Sequence, residues 1–150
     1  MKLLNTLLLA GILAVAVQPV ESASRVSPVN KNKASVAIHG YDPVAYFEAG
    51  KPVKGSADFS HQTAQASWFF ASAANRDLFR SSPDRYAPQF GGYCAWAVSK
   101  GYTADIDPEA WKIVNDKLYL NYSKSVQRKW EKDMPQRIVD ATRNWPNLHD

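Results

Sequence analysis

SHQTAQASWFFASAANRDLFRSSPDRYAP, residues 60–88, carries the strongest fold signal in this chain. Residues 58–61 and 66–71 read as two short strands. In the second, Trp68-Phe69-Phe70 is too apolar for an exposed strand and is expected centrally. Ser72 is placed to cap the free N–H groups of a helix whose turns run through Asn75 to Arg80, with Leu78 and Phe79 turned inward. Pro83 then starts a further helical turn that sets Tyr86 against the core. Two strands followed by a capped helix within 29 residues imply a hairpin with a helix packed on it.

Outward from this stretch the pattern continues. Residues 41–47 follow an Asp-Pro turn and pack as a short extended or helical segment, and Pro52 and Gly55 mark a turn. Asp107-Pro108-Glu109-Ala110 reads as a helix or turn start with proline at its first position. Trp111-Lys112-Ile113-Val114 and Lys117-Leu118-Tyr119-Leu120-Asn121-Tyr122 flank Asn115-Asp116, a β-hairpin signal. Ser123 caps a C-terminal helix with Val126 and Trp130 on one face; Pro135 kinks or restarts it, and Ile138, Ala141 and Trp145 extend the apolar side. The expected class is α+β: a small antiparallel sheet with packed helices and a C-terminal helical extension. No repeat or inter-domain linker interrupts it.

Several of these residues resemble the YHS domain, a small module often fused to copper pumps and metal-handling proteins. Asp42-Pro43-Val44 is similar to its opening Asp-Pro-Val-Cys. Ser60-His61 fits its histidine element, and Phe70, Ser72, Phe79, Pro83 and Tyr86 fit a pattern near F-C-S-x-x-C-x-x-x-F-x-x-x-P-x-x-Y. Residues 40–47, Gly91-Gly92-Tyr93-Cys94-Ala95 and Trp145-Pro146 resemble a subgroup of small exported YHS domain-containing proteins. The positions where metal-binding members carry cysteine hold Ala45, Ala71 and Asn75 here. The resemblance therefore implies a YHS-like core but no particular activity, because fold analogy alone does not transfer function.

The N-terminus predicts export. Met1-Lys2 is a short positive region, residues 3–17 are largely apolar, and Val20-Glu21-Ser22-Ala23-Ser24 supplies small residues for cleavage. The apolar run is shorter than the ~20 residues of a membrane span, so a signal peptide over residues 1–22 is expected, with no stable membrane anchor afterwards. Residues 23–34 read as a flexible arm and 35–150 as one YHS-like domain with its extension. A periplasmic or secreted location follows. The net charge of +4 is spread among interspersed acids and bases, so nucleic acid is not an expected partner; a small ligand or an envelope protein is.

One cysteine cannot form an internal disulfide, and thiols in oxidising compartments are usually paired or absent. Cys94, after the Gly91-Gly92 bend, is either a buried small hydrophobe or a reactive or ligating thiol. His61 takes the histidine position of the resemblance. His39 and Asp42 could join Cys94 in a mixed nitrogen, oxygen and sulfur set suited to copper or zinc. Asp42 is equally a turn residue that caps the following backbone, and His149 falls in a tail expected to be loose. These residues lead to an exported, non-enzymatic binding module for a metal ion or small ligand around His61, Cys94, His39 and Asp42. The alternatives are a thiol-dependent redox enzyme using Cys94 and a structural or partner-binding envelope domain. Without the pattern's cysteines, stability is expected from burial of Trp68, Phe70, Phe79, Tyr86, Trp111, Tyr119 and Trp130.

Overall fold

The computed structural model describes residues 25–150; the expected signal peptide lies outside the described residues. The chain is α+β. A one-turn helix α1 (Ala45–Glu48) precedes the hairpin of β1 (Ser56–Gln62) and β2 (Ser67–Phe70). Helices α2 (Ala73–Ser81), α3 (Pro83–Tyr86) and α4 (Ala95–Ser99) follow. A second hairpin, β3 (Asp107–Val114) and β4 (Lys117–Asn121), leads into α5 (Lys124–Glu131) and α6 (Met134–Asn144). The two antiparallel hairpins form separate sheets, where the sequence suggested one.

The local chemistry of residues 60–88 works as its residue types dictate. His61 pairs with Trp68 and Ser60 with Phe69 across the first hairpin. The β2 alternation buries Trp68 and Phe70 and leaves Phe69 half-buried. On its other side only Ser67 bridges Val36, so the Trp68-Phe69-Phe70 run, expected centrally, lies at the edge of a two-stranded sheet. Ser72 accepts a hydrogen bond from the Asn75 N–H and caps α2. Phe79 is buried against Trp68 and Phe70 at ring separations of 5.1 and 5.2 Å. Leu78, expected inward, is 39 % exposed: on a nine-residue helix the apolar stripe accommodates Phe79, and its immediate neighbour, about 100° around the axis, faces solvent.

In the second hairpin Asn115 and Asp116 both adopt positive φ (49° and 58°), the two-residue turn that matches strand twist. The helix start expected at Asp107-Pro108 is instead the beginning of β3. Asp107 Oδ1 accepts the Glu109 N–H, and the pairing shifts register between Asp107 and Trp111. Pro108, lacking an N–H, thus sits where the ladder is irregular, and its carbonyl accepts the Tyr46 hydroxyl. Ser123 caps α5 through the Val126 N–H, and Pro135 restarts the chain as α6.

Two apolar clusters support the molecule. One gathers Ile38, Val44, Tyr46, Trp68, Phe70 and Phe79, with Leu118 and Leu120 from β4. The other holds Phe90, Tyr119 and Trp130 with Ala95, Val98 and Ala141. Trp111 alone of the seven expected core aromatics is only half-buried. The expected loose arm is tied from Val26 onward: the Val26 N–H donates to Leu148 and the Asn30 N–H to Gly91. His149, also expected to be loose, stacks on Trp145 at 4.4 Å.

Candidate functional site

Cys94 is the N-cap of α4, which the sequence did not reveal. A thiol is a poor cap, and the cap comes from elsewhere. Asn121, at the end of β4, is fully buried and its Oδ1 accepts the Trp96 N–H at 3.2 Å. The same oxygen receives the Cys94 thiol at 3.7 Å, while Sγ accepts the Tyr122 N–H at 3.3 Å. Asn121 Nδ2 has no partner among the described residues. At the far end, Asn144 Nδ2 donates to the carbonyls of Val98 and Ser99, closing α4 against α6.

Above the thiol opens a cleft of about 220 Å3. Trp96, Tyr102 and Tyr122 form its aromatic sides, and Ala97, Ala104 and Val126 complete an almost wholly apolar lining. Tyr102 and Tyr122 are 48 % and 59 % exposed, and Lys100 Nζ lies 5.5 Å from the Trp96 ring centre. Burial raises the Cys94 thiol pKa, outweighing the nearby backbone N–H groups that favour the thiolate. At neutral pH the group at the floor is a protonated thiol.

His39 sits in a different arrangement. Ile38, His39 and Gly40 take φ of 40°, 58° and 76°, and Phe90, Gly91 and Gly92 take 55°, 61° and 81°. Runs of left-handed backbone are costly for residues with a Cβ, and for β-branched Ile38 most of all. Asn30 ties the two runs together. Its carbonyl accepts the Ile38 N–H, its N–H donates to Gly91, and its Nδ2 donates to Gly92 and to Asp105 Oδ1. Glycine is required at 91 and 92: a side chain would strike the Pro28 carbonyl at one and Ile38 at the other. His39 Nε2 meets Asp105 Oδ1 at 2.8 Å. Partial burial raises the Asp105 pKa, but the Asn30 amide, His39 and the Ile106 N–H outweigh it and hold the carboxyl below its ordinary value.

Asp42 is fully buried and saturated with donors. Oδ1 accepts the N–H groups of Val44 (2.8 Å) and Ala45 (3.2 Å); Oδ2 accepts the Ala71 N–H (2.8 Å) and Asn75 Nδ2 (2.7 Å). The backbone N–H groups of Ala45 and Ala71 and the Asn75 amide are thus gathered around one carboxylate. His61 packs its ring against Phe79 at 6.2 Å. His61, Cys94, His39 and Asp42 therefore each engage different partners. Among the described residues no three His, Cys, Asp or Glu side chains form a group that could hold a metal ion. The expected four-residue copper or zinc set is not assembled.

Asn30, Asp105, Asn121 and Tyr122 were not singled out by sequence reasoning. Nothing local marks them, since each acts on a partner distant in the chain. Among the described residues no helix is long and apolar enough to cross a membrane. Comparison of the chain with known family models, curated proteins and solved structures finds no match.

Proposed function

We propose that this chain is an exported, non-enzymatic YHS-like binding module that takes a small apolar ligand in the cleft over Cys94. The observation that carries the proposal is the cleft itself: about 220 Å3, apolar on nearly every side, and closed at its floor by a buried thiol. Engineered apolar cavities of about 150 Å3 hold benzene, so this space suits a single ring or a short alkyl chain. Three aromatic walls favour a ring, through stacked or edge-on contacts. Thiol chemistry at Cys94 would need an exposed, ionised sulfur, and burial supplies neither. The side chains expected to bind copper or zinc, His61, Cys94, His39 and Asp42, each engage other partners.

Thermal unfolding in the presence of toluene or p-cresol tests this reading. A ligand that binds only the folded chain raises its melting temperature with concentration. The wild type should show that rise, and Ala104→Leu, which fills the cleft from its half-buried wall, should lose it. Equal shifts in both proteins, or none in either, would remove the cleft as the site.

A further inference from the structure

A second concavity, of about 600 Å3, lies between the turn of the β3–β4 hairpin, α6 and the segment after α3. That volume is within the range of small-molecule sites. Its chemistry differs from that of the Cys94 cleft. Half-buried Trp145 provides aromatic surface, backed by the largely buried rings of Phe90 and Tyr119, with Phe90 6.0 Å from Tyr119 and 6.2 Å from Trp145. Around them stand Asp84, Gln89, Asn115, Lys117 and Thr142. One acid and one base leave the rim without a dominant charge.

The second observation is Tyr119. Tyr119 is only 4 % exposed, yet it lines the groove, and its hydroxyl makes no hydrogen bond among the described residues and is not sealed in the core, so it remains reachable from solvent. Burial raises its pKa, so it stays a neutral donor and acceptor across the physiological range. Two rim positions are fixed by backbone: Phe90 (φ 55°) belongs to the left-handed run, and Asn115 (φ 49°) to the hairpin turn. A preformed rim lowers the ordering cost of binding.

We propose that this groove binds a neutral saccharide. A sugar ring presents C–H faces that suit the half-buried Trp145 surface. Its equatorial hydroxyls suit the amides of Gln89 and Asn115 and the free hydroxyl of Tyr119. With one acid and one base, Asp84 and Lys117, the rim carries no net charge that would select for a strongly anionic or cationic ligand. The site is independent of the Cys94 cleft, and each stands or falls alone.

Isothermal titration of the full chain with maltotetraose and with tetra-N-acetylchitotetraose tests the proposal. Saturable binding of at least one is expected. Tyr119→Phe keeps the ring and removes the unpartnered hydroxyl, so folding is preserved, and affinity should fall roughly tenfold, the scale of one hydrogen bond. Gln89→Ala should also weaken binding. Trp145→Ala should abolish it, with circular dichroism showing whether the fold survives. Ala104→Leu in the other cleft should change nothing. Absence of binding to both oligosaccharides overturns the proposal, as does full affinity in both Tyr119→Phe and Gln89→Ala.

Discussion

Asp42 accepts four hydrogen bonds and faces only donors, which sets a sharp expectation at the residue scale. Asp42→Ala leaves three backbone N–H groups and one amide without their acceptor, and hydrogen bonds to charged groups contribute about 1.5–3 kcal/mol each. A loss of at least ~3 kcal/mol in urea unfolding is expected. Asp42→Asn should cost nearly as much, because the new NH2 would point at donors on whichever side it took. Asn75→Ala, which removes one of the four donors, should cost less, about 1.5–3 kcal/mol. An Asp42→Asn protein as stable as wild type would refute this account of the carboxylate. Cys94 gives a second test. With its thiol buried and its pKa raised, iodoacetamide should modify it far more slowly than a free thiol at pH 8, and the rate should approach the free-thiol value in 8 M urea.

At the scale of elements, what could be read from sequence is what neighbouring residues settle between themselves. Ser72 and Ser123 cap their helices, Asn115-Asp116 turns its hairpin, and Trp68 and Phe70 face inward, each through contacts a few residues apart. Five-residue α4 escaped because its cap is Asn121, 27 residues from Cys94. The Asp42–Asn75 and Asn30–Asp105 links span 33 and 75 residues, and no local pattern encodes such pairings. The expected metal set failed for the same reason: residue types were legible, but their partners were not. Trp68 and Phe79 join the first hairpin to α2, so Trp68→Ala should cost ~3–5 kcal/mol or prevent folding, measured by thermal unfolding. Asn121→Leu removes the acceptor for the Trp96 N–H and should loosen α4; faster hydrogen exchange at Trp96 and Ala97 would show it.

Across the whole molecule, titration should bound stability from both sides. Asp105 is held below its ordinary pKa, so its contribution is present above about pH 4 and is lost as pH falls through its lower folded value. Cys94, Tyr46, Tyr93 and Tyr119 are raised by burial. The unfolded chain releases those protons first, so stability should decline above about pH 8.5 and further near pH 10. Urea midpoints against pH should therefore form a plateau with a steep alkaline edge, and Tyr46→Phe should soften that edge. Both apolar clusters are built from side chains alone, so prolonged chelator treatment should leave the melting temperature unchanged. Ligand binding in the Cys94 cleft can be followed residue by residue by amide NMR of the uniformly 15N-labelled chain during p-cresol titration. Saturable shifts should centre on Cys94, Ala97, Tyr102 and Tyr122, while Asp42 and Asp105 stay still. Shifts absent at those four residues, or centred on Tyr119 and Trp145, would contradict the assignment of ligand binding to the Cys94 cleft.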